Sequence, residues 1–169
     1  ISLLLEEDSD KIISLTHELE QLNITRQDMT YGALTEAEKI FADKTIPYIL
    51  IAESPDWHVG VLGLIAGRLV ERYARPAIIL QDLGDTLVAS ARSPEVFHMT
   101  EALAELSNHL ITFGGHAQAA GFNIKKENYM EFKKAISEFA EKKLKDIDLR
   151  PTLEIDCDIT PDELSFGFL

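Results

Sequence analysis

Apolar residues recur at three- and four-residue spacing from the start of the chain. Ile12, Leu15, Leu19 and Leu22 predict an amphipathic helix over 9–22, with Asp8 and Asp10 suited to its amino end and Asn23 as a stop. Met29, Ala33, Leu34, Ala37, Ile40 and Phe41 give a second helical face between Thr25 and Lys44. Gly32 weakens its middle, and Thr35 with Glu38 matches a capping box, so this stretch also reads as two helices. The period then changes. Tyr48 to Ala52 is a continuous apolar run, as in a strand covered on both faces. A polar loop, Glu53 to His58, leads into a helix over Val59–Tyr73 that carries Gly60, Gly63 and Gly67. Pro76 introduces a second apolar strand, Ala77–Leu80, and such a strand–helix–strand unit is parallel and right-handed.

Gly84-Asp85 marks a turn, followed by a hairpin-paired strand over Thr86–Ala91. Thr100 suits the cap of a helix reaching Leu110, with Ala102, Leu103 and Leu106 inward. A glycine turn at 113–122 precedes a strand over Ala120–Ile124, and Tyr129–Leu144 forms a last amphipathic helix. Lys145 to Pro151 reads as a linker. Beyond it Leu153, Ile155, Cys157 and Ile159 alternate as in a half-buried strand, and Thr160-Pro161 opens a helix. The fold class expected is α/β: a mixed, mostly parallel sheet flanked by helices and preceded by a helical connector. Residues 1–45 would form the connector, 46–148 the compact domain, and 149–169 a linker with the start of a further β domain.

At 169 residues the chain is about one domain, and its 46% hydrophobic content is enough for a core. No apolar run approaches a membrane span. The lone cysteine, Cys157, leaves no internal disulfide, reads as a small core residue, and fits a reducing, cytoplasmic compartment. No Cys–His spacing suggests a zinc site. Beginning at isoleucine and stopping at Leu169, the sequence reads as a fragment. The net charge of −13 argues against a broad nucleic-acid coat, which needs Lys and Arg to neutralise phosphates. Residues 51–125 are the least acidic stretch, with five basic and eight acidic groups, and hold four of the five histidines. An anion site therefore belongs there, as a local pocket.

The candidate chemistry centres on Phe113-Gly114-Gly115-His116, continuing through Ala119-Ala120-Gly121. Glycines let a ligand approach the main chain, and an imidazole can donate, accept or carry charge near neutral pH. These residues alone fit two readings, an anion-receiving turn and a plain glycine turn with an incidental histidine. Arg92, just past a strand, reads on its own as a surface arginine and alternatively as a bidentate phosphate clamp. Trp57 reads as an anchor of its loop, with base stacking as the alternative. His58 is a candidate substrate contact. His98 and His109 read as locally satisfied histidines and Arg68 as a structural ion pair.

Three segments together resemble a known family. His58-Val59-Gly60-Val61-Leu62-Gly63-Leu64-Ile65-Ala66-Gly67-Arg68-Leu69 with Tyr73-Ala74-Arg75-Pro76-Ala77 resembles a signature of the RecJ single-strand-specific exonucleases. Ser90-Ala91-Arg92-Ser93 is similar to their Ser-Gly-Arg-Ser phosphate-contacting segment, with Ala91 replacing the usual glycine. Phe113-Gly114-Gly115-His116 is similar to the Gly-Gly-His motif of the DHH-associated domain, and Leu22-Asn23 with Arg26-Gln27 resembles the helix joining the two RecJ lobes.

The resemblance implies the carboxy-terminal, substrate-binding lobe of a 5′-to-3′ exonuclease, with residues 1–45 leading out of an absent DHH lobe. That lobe would bind Mn2+ or Mg2+, and this chain, lacking an Asp-His-His sequence, would bind no metal and be inactive alone. Arg92 and His116 would act on the scissile phosphate, supported by Ser90, Ser93, Gly114, Gly115 and His58. Partners implied are single-stranded DNA, with a single-strand DNA-binding protein or repair factors beside it, and no membrane. The alternatives are the same lobe acting on short oligonucleotides or cyclic dinucleotides, and a non-catalytic nucleic-acid-binding module.

Overall fold

A computed structural model describes residues 1–42, 45–150, 155 and 157–160. After a one-turn helix α1 (Ser2–Leu5), helix α2 runs unbroken over Ser9–Phe41. Asp8 caps it, its Oδ1 accepting the N–H groups of Asp10 at 3.0 Å and Lys11 at 3.3 Å. The stop expected at Asn23 and the break expected at Thr35 do not occur. Asn23 instead accepts a hydrogen bond from Arg26 at 2.7 Å, and the Thr35 hydroxyl donates to the Tyr31 carbonyl at 2.8 Å. A threonine bonded back into its own helix is not a cap. Only the last third of α2 is buried, through Ala33, Ala37 and Phe41.

The domain proper is a five-stranded sheet in the order β1-β2-β3-β5-β4, formed by β1 (Leu50–Ser54), β2 (Ala77–Asp82), β3 (Thr86–Arg92), β4 (Leu110–Gly115) and β5 (Ala119–Lys125). The mixed sheet with flanking helices is as expected, but its balance is not. Only β1–β2 is parallel, and β2–β3, β3–β5 and β4–β5 are antiparallel. A neighbouring parallel pair needs a long crossover, which α3 (Val59–Tyr73) supplies, whereas the second crossover, over residues 93–109, brings the chain to the far side of β5. Short turns join β2 to β3, at Gly84 with φ +95°, and β4 to β5, at residues 116–118.

Successive side chains of β1 and β2 feed two cores, and β3 and β5 feed one of them. Ile78, Leu80, Leu87, Ala89, Ala91, Phe122 and Ile124 face α4 (Met99–Glu105) and α5 (Lys126–Leu144), where Phe132 and Ile136 are fully buried. Leu50, Ala52, Ala77 and Ile79 face Leu62, Ile65 and Leu69 of α3, and α2 closes over α3. Helix α3 lies over β2 and β3. On that same face β5 and β4 are left open, so Thr112, Gly114 and Gly121 are exposed.

Helix α4 ends at Glu105, before the expected Leu110, and its cap is His98 in place of Thr100: the Nδ1 accepts the Glu101 N–H at 3.3 Å. Trp57 is buried deeper than a loop anchor requires, and its indole N–H donates to Glu36 at 2.9 Å, fastening the β1–α3 loop to α2. Cys157 is exposed, not a core residue. The expected strand over 153–159 and the helix from Thr160 fall largely outside the described residues.

At the carboxyl end of α3, Ala74 is left-handed, with φ +49°, while its N–H donates to Val70 at 2.8 Å. This is a position for glycine, since a Cβ there is strained by about 1 kcal/mol. Ala74→Gly is expected to raise stability by about that amount in chemical denaturation. A loss of stability would show that the strain is absent.

Candidate functional site

Arg92 closes β3 on the α3 side of the sheet. A Cβ built on Gly63 of α3 would stand 3.0 Å from the Arg92 Nη2 and 3.1 Å from the Ser90 Oγ. The missing side chain at Gly63 is thus what lets the guanidinium and the hydroxyl lie together against the helix. The Arg92 Nη1 donates to the Ala91 carbonyl at 2.9 Å, which holds the side chain in place.

The guanidinium opens onto a cleft of about 310 Å3 between α2 and α3. Arg26 and Thr30 line it from α2, one helical turn apart, and Gly63, Gly67 and Arg68 line it from α3. Arg68 is paired with Glu71 at 2.9 Å, as expected, but Arg26 and Arg92 have no carboxylate partner among the described residues. Two guanidiniums without carboxylate partners among the described residues, sharing one cleft, leave a local excess of positive charge in a chain of charge −13.

Gly63→Ala tests this packing. The helix gains up to about 1 kcal/mol of propensity, and the new methyl pushes the Arg92 guanidinium outward. The expected result is unchanged or improved thermal stability, with weaker binding of a single-stranded oligonucleotide if that is the ligand, as the resemblance implies. Equal binding by both forms would remove Gly63 from the site.

The glycine–histidine segment lies at the same end of the sheet. Contrary to the expected helix–turn–strand, residues 110–115 are the exposed edge strand β4, and the turn comes only after Gly115. His116 is exposed, and its N–H donates to the Ala119 carbonyl at 2.8 Å, closing a tight turn. Ala119 pairs with Arg92 across β3–β5, so His116 and Arg92 stand two strand spacings apart, about 10 Å. Two residues further along the strands on the same face, Gly114, Gly121 and Ser90 are in register across three strands, a row with little side-chain bulk.

The two glycines differ. A Cβ on Gly114 would meet nothing within 4 Å, whereas one on Gly115, at φ +143°, would be 2.3 Å from the Ala119 carbonyl oxygen. Gly114 is the open position and Gly115 the conformational requirement.

Ser93 is buried, and its hydroxyl donates inward, to the Phe97 carbonyl at 2.7 Å with the Ala117 carbonyl 3.3 Å away. It does not present a donor to the cleft. His58 caps α3, its Nδ1 accepting the Gly60 N–H at 3.0 Å, and lines a separate cleft of about 140 Å3 with Trp57 and Met29. The structure therefore brings Ser90 and Arg92 together, sets Gly114 and His116 at the same end of the sheet two strands away, and leaves His58 apart. Arg26 enters the cleft from a helix 66 positions away in sequence, where its i, i+4 spacing to Thr30 was the available signal.

The strongest titration shift lies elsewhere. Tyr129 of α5 donates its hydroxyl to Glu53 of β1, and burial, with the hydrogen bond to that carboxylate and its charge, pushes the phenol well up. That pair ties α5 to the sheet and lines neither cleft. Among the described residues no three His, Cys, Asp or Glu side chains converge as ligands of a metal ion.

The molecule is an α/β domain whose sheet has an open face beside an arginine-lined helix cleft and carries Gly-Gly-His at a strand end. Residues 46–142 match the DHHA1 domain, and the chain belongs to that family. Its relatives include the single-stranded-DNA-specific exonuclease RecJ of Haemophilus influenzae, 39% identical over 142 residues, covering 78% of this chain and 25% of that protein. The RecJ of Escherichia coli is 34% identical over 175 residues, covering 98% of this chain and 30% of that one. Among solved structures, RecJ of Thermus thermophilus in complex with Mg2+ superposes with a TM-score of 0.75 at 27% identity, covering 83% of this chain and 22% of that chain. The chain thus spans less than a third of the length of these relatives.

Proposed function

We propose that this chain is the nucleic-acid-binding lobe of a longer RecJ-type exonuclease that digests single-stranded DNA from 5′ to 3′. The observation that carries this reading is that Arg26 and Arg92, both without carboxylate partners among the described residues, share one cleft lined by Gly63 and Gly67. Phosphodiester hydrolysis requires the phosphate to be held in line and its growing charge to be met by fixed donors. The Arg92 fork suits two non-bridging oxygens, and Ser90 stands beside it with a hydroxyl. His116, exposed at the end of β4, supplies a hydrogen bond and, when protonated, a charge. The open face of β4 and β5 leaves room for a single strand to approach the backbone at Gly114.

The chain's own share is binding and orientation. A divalent metal, such as the Mg2+ of the related Thermus complex, belongs in this reading to sequence outside this chain. Residues 1–45 would then be the connector to that part and 149–169 the exit toward a further domain. Single-stranded DNA is the proposed substrate, with a single-strand DNA-binding protein or repair factors as further partners. No helix among the described residues is long and apolar enough to cross a membrane, and a cytoplasmic site of action is proposed with the substrate.

The test is a digestion assay of the longer protein with Mn2+ on long 3′-labelled single strands and, separately, on dinucleotides. Progressive shortening of the long strands, with no cleavage by this chain alone, is the expected result. Activity confined to dinucleotides would replace the exonuclease reading with a small-oligonucleotide one. Cleavage by the isolated chain would overturn the division of labour.

A further inference from the structure

We propose that Ser93 is a positioning residue that ties His116 to Arg92, and not a substrate donor. The inference rests on the proposed role of His116. Ser93 is the one buried polar residue among those described, and it follows Arg92 directly in the chain. A serine hydroxyl carries one proton, and here that proton points inward to the Phe97 carbonyl at 2.7 Å, with the Ala117 carbonyl at 3.3 Å as a weaker second acceptor. None is left to donate to a phosphate.

The contacts of the His116 turn converge on this residue. The Ser93 N–H donates to the Gln118 carbonyl at 3.0 Å. The Met99 N–H donates to the Ala117 carbonyl at 2.7 Å, and Met99 and Phe97 are both buried in the core. Closing the 93–97 loop through its hydroxyl, Ser93 sets where Met99 presents that N–H. The turn of residues 116–118 is therefore held from outside its own hairpin at two carbonyls, one by Ser93 directly and one through the loop Ser93 closes. Since Ser93 also continues β3 from Arg92, one residue fixes the separation of the two groups that meet the phosphate. A misplacement of about 1 Å in such a pair costs up to about a hundredfold in rate.

Two measurements test this. In the present chain, amide hydrogen exchange of Ser93→Ala should show the His116 and Met99 amides exchanging at least about tenfold faster, while those of Ile79 and Ala89 stay within about twofold. In the longer protein, Ser93→Ala should lower kcat about tenfold to a hundredfold with KM within about twofold, and Ser93→Thr, which keeps the hydroxyl, should recover most of it. Unchanged exchange at His116 with a raised KM would overturn the proposal and return Ser93 to the substrate. A uniform rise in exchange, including Ile79 and Ala89, would equally overturn it by showing a global loss of stability. The two readings fail separately: if His116→Ala leaves kcat intact, the role of His116 falls, while the exchange pattern still decides what Ser93 holds.

Discussion

Replacing Gly115 by alanine is expected to cost at least about 3 kcal/mol of stability, the range reserved for strained backbone combined with a steric clash. The added methyl would sit 2.3 Å from the Ala119 carbonyl oxygen and 2.5 Å from the Ala120 Cα, both backbone atoms of the neighbouring strand. Neither can swing aside as a side-chain tip would. The φ of +143° adds a penalty of its own for any residue with a Cβ. Gly114→Ala, one residue earlier, provides the contrast: open space surrounds the new methyl, and stability should change by less than about 1 kcal/mol. The same methyl stands on the open face where a strand of nucleic acid would lie, so turnover by the longer protein should fall. Urea denaturation of both variants, with exonuclease rates for Gly114→Ala, separates the two roles. A stable Gly115→Ala protein would mean that β4 and β5 do not meet as described.

Arg92→Ala and His116→Ala should each lower turnover of single-stranded DNA by the longer protein about a hundredfold to a thousandfold, the usual effect of removing one preorganised donor from a developing negative charge. Their stability effects should be small and different in kind. His116 is exposed and its side chain fastens nothing among the described residues, whereas Arg92 loses only a hydrogen bond to the Ala91 carbonyl. Arg92→Lys should restore little, because an ammonium has neither the fork nor the reach to share a phosphate with Arg26. Single-turnover rates at saturating substrate, with melting curves as the control, make the measurement. Full activity in Arg92→Ala would remove the cleft between α2 and α3 from the catalytic path.

The candidate site was legible in parts that are local. Gly114-Gly115-His116 and Ser90-Ala91-Arg92 stand out by residue type, and their neighbourhood at one end of the sheet follows once β3 and β5 pair. Ser93 reads differently in the sequence and in the fold. Its place beside Arg92 suggests a second donor, but burial turns the hydroxyl toward the carbonyls of Phe97 and Ala117, which nothing in the local sequence announces. Arg26 belongs to a helix that reads as a connector, and only the packing of α2 on α3 brings it into the cleft with Arg92.

The sequence by itself determined the elements whose burial is one-sided or complete. Helix α3 has its predicted limits, Val59–Tyr73, because its apolar stripe runs on through Val70 to Tyr73 and Pro76 forbids continuation. Strands β1 and β2 follow from unbroken apolar runs, since a strand covered on both faces has no polar side. Edge strand β4 was invisible for the converse reason. It is exposed on both faces, so Leu110 to Gly115 carry no alternation, and it exists only because β5 pairs with it. The antiparallel balance of the sheet, the inward Ser93 and the Arg26–Arg92 cleft were likewise decided by tertiary structure. Each depends on contacts between residues distant in the chain, and a local pattern of polar and apolar positions does not encode those.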